Sequence, residues 1–329
     1  MSIPKPKLNP VDPEYSEDAY IANRAIRYIK ERPADKPFFI TCGFEGPHPP
    51  FKIPEPYFSM YDPQDFSEPP DFGSQDGEPA SNRRNYYRKL FNDQGTDWAD
   101  WRHAVAVYSG FVSLIDDQVG RLVRVLKDQG VYENTVIIYI SDHGEMLGCH
   151  GLWHKMTGYE EALRVPFIVG GGAVKSRSKN LDAPVSLLDI APTILGLAGL
   201  PVPAVYEGEN LAPVIQGNKP APERKYLFSE FQAFGEWHGA VDWRLVTDNR
   251  LKYIWNCGDT DELYDLRDDP HETVNRIDAT EYAGAQQHFK NQLHQWMHKT
   301  RDPLEKQFKE ELKEKGSEKG KGVRKGVTH

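Results

Sequence analysis

Residues 135–155 have the sequence TVIIYISDHGEMLGCHGLWHK. The first part is a run of β-branched and aromatic residues, which predicts a strand. The strand ends at Asp142 and His143, where a glycine-containing loop begins. In open α/β sheets, ligands bind at such strand ends. A carboxylate beside an imidazole can ligate a divalent cation there, although Asp142 could equally cap a following helix and His143 could be an ordinary loop residue.

Two further basic side chains are candidates for binding an anion. Lys155 ends the same loop, and its ammonium group could hold a tetrahedral oxyanion and stabilise a leaving oxygen. His48 lies in the proline-rich segment GPHPPF, after a second predicted strand, and could act as a hydrogen-bond donor or as an acid. A solvated lysine and a packed loop histidine are the ordinary alternatives for these two positions.

The pattern on either side of this stretch predicts an α/β fold. Apolar residues recur at helical spacing after Ser16, a candidate N-cap, and again over residues 101–129. KPFFITCGF, at 36–44, predicts a buried strand, and VPFIVGG, at 165–171, predicts another. A helical pattern follows over 186–199. This alternation is typical of a mostly parallel central sheet flanked by helices.

The chain divides into three regions by pattern and composition. Residues 1–219 are predicted to form the main α/β domain. Residues 220–303 contain short strand patterns and then a helical one, which predicts a small antiparallel sheet covered by a helix. Residues 304–329 are rich in Lys, Glu and Gly, and this composition predicts a charged, disordered tail that begins as a frayed helix.

Composition argues against several kinds of partner. The formal net charge of −9 is unfavourable for nucleic acid, which is held mainly by clustered Lys and Arg. No stretch approaches the roughly 18 apolar residues that cross a bilayer, so no membrane association is expected. The opening residues lack the apolar core of a secretory signal. The 3 cysteines are far apart in sequence and predict neither a disulfide framework nor a zinc site made of a close Cys pair.

Taken in order, several segments resemble the sulfatase family of the alkaline phosphatase superfamily. The resemblance extends from about Ser16 to Asn275. The matching segments are PFFI with GPHPPF, FVSLIDDQVGRLVRVLKDQG, SDHGEMLGCHGLWHK through YEEALRVPFIV, SLLDIAPTILGLAGL, and ELYDLRDDPHETVN. Their collinearity is far more specific than any one motif. It implies an alkaline phosphatase-like fold and hydrolysis of a sulfate ester.

The resemblance also implies roles for the candidate residues. Asp142 and His143 would ligate one divalent cation, usually Ca²⁺ and sometimes Mg²⁺, with His143 standing where many relatives have Asn. Lys155 and His48 would contact the sulfate group and the bridging oxygen. In the family, a formylglycine made from Cys or Ser attacks sulfur. The expected substrate is a sulfated small molecule or carbohydrate.

One element of the family pattern does not occur in these 329 residues. The formylglycine motif has Cys or Ser, then Pro or Ala two positions later and Arg four positions later, and neither the cysteines Cys42, Cys149 and Cys257 nor any serine begins it. We therefore expect the chain to be a C-terminal portion, with its α/β domain incomplete at the N-terminus and the nucleophile in a preceding sulfatase segment, which is then a candidate partner. That segment would also decide export, since a signal peptide would lie there.

Two alternatives to a sulfatase remain open from the sequence. One is an inactive sulfatase-like fragment that binds a metal ion or an anionic ligand. The other is a phosphodiesterase or phosphonate hydrolase of the same superfamily, because sulfate and phosphate esters share tetrahedral geometry and charge. Trp153, His154 and residues 62–97 and 231–243 are candidates for the rim of the substrate site, or for ordinary packing.

Overall fold

The structure, a computed structural model, describes residues 5–73, 77–84, 97–175, 180–220, 222–233 and 241–322. The helices are α1 (Glu17–Glu31), α2 (Ala80–Arg84), α3 (Trp98–Asp128), α4 (Glu160–Leu163), α5 (Ile190–Leu197), α6 (Ala212–Ile215), α7 (Ala283–Thr300) and α8 (Glu305–Gly322). The strands are β1 (Lys7–Leu8), β2 (Lys52–Ile53), β3 (Ile137–Ile140), β4 (Phe167–Gly170), β5 (Leu227–Phe231), β6 (Trp243–Thr247), β7 (Leu251–Asn256) and β8 (Glu262–Asp265). Within these ranges no helix has the length and apolarity needed to cross a bilayer.

The two long N-terminal helices form as the sequence predicts. The Ser16 hydroxyl accepts a hydrogen bond from the Ala19 amide at 3.2 Å and caps α1. The apolar face of α1 is buried, and Ile29 packs against Val125 and Leu126 of α3. Helix α3 ends before Gly130, whose φ of 67° lies in the left-handed region that favours glycine. The two helices thus pack directly on each other through their apolar faces.

Strands β3 and β4 pair antiparallel, with Ile137 opposite Gly170 and Ile140 opposite Phe167. This pair differs from the mostly parallel sheet that the alternating pattern predicts. A parallel pair needs a crossover long enough to return along the sheet. Most of the connection between β3 and β4 has no regular secondary structure, and its one helix in the described structure, α4, has four residues, so no long helix carries the chain back along the sheet.

The predicted strand over residues 36–44 is wrong within the described structure, where this segment has no strand assignment. Phe38 and Ile40 still pack, half-buried, against the α1–α3 interface, whereas Phe39 is 69% exposed. A strand needs a neighbour to take its backbone groups, and none pairs with this segment in the described ranges. The apolar run therefore supplies packing without becoming part of a ladder.

The C-terminal part contains the antiparallel sheet that the sequence predicts, in the order β5-β6-β7-β8. Asp248 and Asn249 lie in the turn between β6 and β7, and Asn249 has a φ of 73°. One face of the sheet packs against α7, with Val246 and Trp255 contacting Phe289 and Leu293 in a common core. Helix α7 covers the sheet, as its periodicity indicates.

The charged tail differs from the predicted disorder, because α8 continues to Gly322 and its first turns are packed. Phe308 is fully buried and lies edge-on to Trp255, with ring centroids 5.0 Å apart. The Trp255 indole donates to Glu311 at 2.9 Å. Charged residues dominate the composition of this stretch, which predicts a solvated segment. Phe308, one of its few apolar residues, nevertheless packs in the core of the sheet. The assignment of 304–329 to a disordered tail is therefore corrected for the part that α8 occupies.

Replacing Phe308 with alanine tests whether α8 belongs to the fold. We expect Phe308→Ala to lower the free energy of unfolding by about 3–5 kcal/mol, the usual cost of truncating a buried aromatic residue. Phe39→Ala, at an exposed position, should change it by no more than about 0.5 kcal/mol. Urea denaturation followed by circular dichroism measures both changes. Equal stabilities of the two variants would show that α8 is not docked.

Candidate functional site

Asp142 and His143 lie directly after β3, where the sequence places them. The Asp142 side chain is 84% exposed, and its Oδ2 is 3.4 Å from Nε2 of His143. Nδ1 of His143 is 2.8 Å from the Gly144 carbonyl oxygen. Because a carbonyl oxygen can only accept, the proton of a neutral His143 is on Nδ1 and the lone pair is on Nε2. An oxygen and a nitrogen ligand atom therefore lie side by side and accessible.

This spacing suits a shared cation. Ligands bound to Ca²⁺ at about 2.3–2.6 Å lie about 3–4 Å from one another, and the separation of Asp142 Oδ2 from His143 Nε2 falls in that range. The Asp142 carboxylate also accepts from the His143 amide at 3.0 Å through Oδ1, which fixes its direction. The two side chains can supply part of a coordination shell, and further ligands would have to complete it.

Residues 144–156 form a compact loop that the sequence pattern does not predict. The Met146 amide donates to the His154 carbonyl at 2.8 Å, and the Gly148 amide donates to the Leu152 carbonyl at 2.9 Å. Gly144 is required because a Cβ there would lie 1.9 Å from the Glu161 carbonyl oxygen. The loop therefore closes on itself and lies directly against α4.

Glu145 holds the end of this loop, although nothing in the sequence singles it out. Its Oε1 accepts from the His154 amide at 2.5 Å and from the Leu147 amide at 3.4 Å. Burial raises the pKa of the Glu145 carboxyl to about 7, and nearby Lys155 opposes that rise. His154 and Met156 have φ values of 72° and 86°, an uncommon conformation for residues other than glycine. Lys155 is thus presented from a strained turn that Glu145 ties down.

Lys155 and His48 meet, although they are 107 positions apart in the sequence. Lys155 Nζ is 3.2 Å from His48 Nε2, and His48 Nδ1 is 2.7 Å from the Pro49 carbonyl oxygen. The carbonyl fixes the proton on Nδ1, so Nε2 accepts from the Lys155 ammonium. His48 is exposed and Lys155 is half-buried, and their contact faces solvent. The two candidate anion-binding residues therefore form one pair.

The loop that carries His48 is anchored by α1. The Asp18 carboxylate accepts from the amides of Glu45 and Gly46 at 3.1 Å and 3.2 Å. Asp18 is 2% exposed, and burial raises its pKa while these two amides lower it. Phe111 packs where a Cβ on Gly46 would lie, so this position accepts only glycine. The position of His48 follows from these buried contacts rather than from its proline-rich surroundings alone.

The C-terminal sheet packs against the loop of residues 144–156 that carries Lys155. The face of the sheet opposite to α7 packs against the loop and α4 in one core, which contains Met146, Cys149, Leu152, Tyr159, Ala162, Trp243, Leu245, Ile254 and Tyr264. The Tyr159 hydroxyl donates to Glu262 Oε2 at 2.8 Å. This core contains residues from both sides of the predicted domain boundary at 219/220. The division of the chain at that boundary stays a prediction.

Lys252 of β7 is the charged part of this interface. It is fully buried, its Nζ is 3.0 Å from Glu160 Oε1, and it also pairs with Glu272. Burial by itself lowers the pKa of Lys252, but Glu272 and Glu160 outweigh burial and raise it above its ordinary value. A lysine in a predicted strand is ordinarily expected to face solvent. The buried ion pairs of Lys252 with Glu160 and Glu272 could therefore not be predicted from the sequence.

The candidate rim of the site is described only in part. Residues 74–76, 85–96 and 234–240 lie outside the described structure, and with them part of each of the two predicted rim segments. Trp153, in contrast, is 7% exposed and shares a buried cluster with Trp101. It belongs to the packing beneath the loop.

Comparison with known proteins identifies this architecture. The fold is that of hydrolases of the alkaline phosphatase superfamily: a phosphonate monoester hydrolase of Agrobacterium radiobacter superposes with a TM-score of 0.75 at 26% identity, covering 86% of this chain and 60% of that one. The family profile "Sulfatase" matches residues 2–200, and the profile "N-sulphoglucosamine sulphohydrolase, C-terminal" matches 148–299. The chain belongs to the sulfatase family.

Three curated relatives agree with this assignment. The uncharacterized sulfatase YidJ of Escherichia coli is 31% identical over 92% of this chain and 60% of its own length. An arylsulfatase of Clostridium perfringens is 32% identical over 80% of this chain and 54% of its own length. An N-acetylglucosamine-6-O-sulfatase of Bacteroides thetaiotaomicron is 34% identical over 61% of this chain and 37% of its own length. The chain thus spans little more than half the length of the first two.

Replacing Lys252 with methionine tests the support of the loop by the sheet. We expect Lys252→Met to lower the free energy of unfolding by about 3–5 kcal/mol, because it leaves Glu160 and Glu272 without their buried partner. Lys36→Met, at an exposed lysine, is the matched control and should be near neutral. Chemical denaturation measures both variants. A loss below about 1 kcal/mol for Lys252→Met would mean that this ion pair does not hold the interface.

Proposed function

We propose that this chain provides the cation-binding strand end and the sulfate-binding basic pair of an enzyme that hydrolyses sulfate esters of carbohydrates. The contact of Lys155 with His48 is the observation that carries the proposal, because the fold brings together two basic side chains from distant segments at an exposed position. Asp142 and His143 supply the adjacent cation ligands. A bound divalent cation, which we propose to be Ca²⁺, would supply positive charge that polarises the ester.

The basic pair suits a sulfate monoester, which is tetrahedral and carries one negative charge. The Lys155 ammonium has three donors and now gives one to His48 Nε2. An entering sulfate oxygen can accept from Lys155, and the bridging oxygen develops negative charge as its bond to sulfur breaks. Because His48 Nδ1 is held by the Pro49 carbonyl, Nε2 stays directed toward that charge. Nε2 can take a proton from the Lys155 ammonium or from solvent and donate it to the bridging oxygen as the bond to sulfur breaks. Lys155 then binds and His48 serves as the acid.

The attacking group belongs to sequence outside these 329 residues. In the family it is a formylglycine, and the motif that would be converted to it does not occur in this chain. Curated relatives such as YidJ are longer than the chain, which covers 60% of that protein. We propose that a preceding segment supplies the formylglycine together with the remaining cation ligands. Asp142 and His143 are too few to form a complete shell, which agrees with this division.

The names of the relatives guide the choice of substrate class. One relative is named for 6-O-sulfated N-acetylglucosamine and another for aryl sulfates. The profile that matches residues 148–299 is also named for a sulfated amino sugar. We therefore propose a sulfated carbohydrate. The alternative, a phosphonate or phosphodiester substrate, is supported by the structural likeness to the phosphonate monoester hydrolase of Agrobacterium radiobacter.

Removing the Lys155 ammonium tests the basic pair. In the polypeptide extended upstream to include the nucleophile, Lys155→Ala should lower kcat/KM for a chromogenic aryl sulfate by about 100- to 1000-fold, as for the loss of one donor to a developing oxyanion. Lys155→Arg should recover part of this loss because it restores the charge. Lys36→Ala, which removes an exposed lysine, should keep full activity.

Two outcomes would overturn the proposal. One is undiminished activity of Lys155→Ala. The other is a kcat/KM for a phosphonate monoester that exceeds those for the aryl sulfate and for 6-O-sulfated N-acetylglucosamine, because the enzyme would then be a phosphonate hydrolase. A higher kcat/KM for the sulfated sugar than for the aryl sulfate is the result that we expect.

Neutralising Asp142 tests the cation site. In the same extended polypeptide, Asp142→Asn should weaken Ca²⁺ binding by on the order of 10-fold or more, since it removes the charge of one ligand. The shift of the thermal midpoint with Ca²⁺ concentration measures this affinity. Asp35→Asn, at an exposed carboxylate, is the matched control. An identical Ca²⁺ response of both variants would remove Asp142 from the site.

A further inference from the structure

A second cluster of ligand-type side chains lies beneath the site loop. Asp71, Cys149 and Glu161 each place one oxygen or sulfur atom within 4.8 Å of the other two. The backbone brings them together: Phe72 and Cys149 form an isolated antiparallel bridge, the His150 amide donates to the Asp71 carbonyl at 2.6 Å, and Glu161 lies on α4. Three separate segments therefore converge on one point.

Asp71 lacks the partners that a buried carboxylate needs. It is 0% exposed, and neither of its carboxylate oxygens has a hydrogen-bond partner. Glu161 Oε2 is likewise buried without such a partner. A buried ionised carboxylate is strongly destabilising unless it is hydrogen-bonded, paired or bound to a metal ion. The cluster therefore needs either bound protons or a cation.

Two imidazoles flank Asp71 at distances longer than hydrogen bonds. His150 Nε2 is 3.8 Å from Asp71 Oδ2, and His271 Nδ1 is 3.6 Å from Asp71 Oδ1. Ligand atoms that share one tetrahedral ion at about 2.0–2.3 Å are about 3.3–3.8 Å apart. The separations therefore suit ligands of a common ion. His271 is 45% exposed and gives the cluster a side toward solvent.

The surrounding charges are also negative. Lys252, the buried ammonium of this region, already pairs with Glu160 and Glu272. Burial, and then the carboxylates of Asp71 and Glu161, raise the pKa of the Cys149 thiol far above its ordinary value. Burial with Asp71 and Glu272 nearby raises the pKa of Glu161 to about 8. Burial and the neighbouring carboxylates thus favour the protonated forms of Cys149 and Glu161, and a bound cation would replace those protons.

We propose that Asp71, Cys149 and Glu161 bind a divalent transition-metal ion, with Zn²⁺ as the best fit, and that His150 or His271 completes the site. Sulfur together with carboxylate oxygen and imidazole nitrogen is a donor set that Zn²⁺ accepts, whereas Ca²⁺ takes oxygen ligands. On binding, the Cys149 thiol loses its proton to solvent and the thiolate bonds to the metal. The ion would clamp the segment at Asp71, the loop and α4 together, a structural role separate from hydrolysis.

Cobalt substitution distinguishes this site from the cation site at Asp142. The tag-free 329-residue chain is stripped with a chelator, reduced, and titrated with Co²⁺ in the presence of excess Ca²⁺. We expect about one Co²⁺ per chain, with a thiolate-to-cobalt charge-transfer absorption in the near ultraviolet. Asp142 and His143 contain no sulfur and cannot produce that band, so the result does not depend on the proposed hydrolase activity. Zn²⁺ should displace Co²⁺ and raise the thermal midpoint.

Variants locate the ligands. Cys149→Ser should abolish the band, while Cys42→Ser and Cys257→Ser should keep it. Glu161→Gln should keep the band and weaken Co²⁺ binding by about 10-fold or more. This second variant tests the site even if Cys149→Ser fails to fold. A folded wild-type chain without the band at stoichiometric Co²⁺, or a band that depends on Cys257, would overturn the proposal. In the first case the carboxylates of the cluster hold a proton instead of a metal ion.

Discussion

The packing of the site loop against the C-terminal sheet is the constraint on which the rest of this structure depends. The loop contains residues with left-handed backbone conformations and could not hold its shape in water by itself. It is held because its apolar side chains enter a core with β6, β7 and β8, and because Lys252 reaches from that sheet to Glu160 and Glu272. The C-terminal sheet is thus part of the machinery that positions Lys155.

The same arrangement explains the distribution of charge. The sheet is covered on both faces, by α7 and α8 on one side and by the loop with α4 on the other. Polar residues on these strands are therefore buried and must be paired. Arg244 satisfies this need through Asp302 at 2.5 Å, and Tyr253 donates to Asp261 at 2.8 Å. Asp71 and Glu161 stand apart from this pattern, which is why their carboxylates point to an ion.

Several elements could be predicted because their signals are local. Ser16 caps α1, the turn at Asp248 and Asn249 joins β6 to β7, and the strand before Asp142 ends where its apolar run ends. Predictions that depended on distant partners were wrong: residues 36–44 have the composition of a strand but no strand beside them, and α8 looks solvated until Phe308 meets Trp255. Whether a strand pairs or a helix docks depends on a second segment elsewhere in the chain. The residues of one segment therefore cannot predict it.

The sequence alone determined the family, the helical and strand patterns, and the four residues Asp142, His143, Lys155 and His48 as candidates, because residue types and their order encode both local conformation and the family motifs. Only the tertiary structure decided that Lys155 contacts His48, that Glu145 holds the loop, and that Lys252 is buried. The same holds for the convergence of Asp71 on Cys149 and Glu161. Each of these joins segments distant in the chain, and the free energy of burial and charge pairing that brings them together exists only once the core has formed.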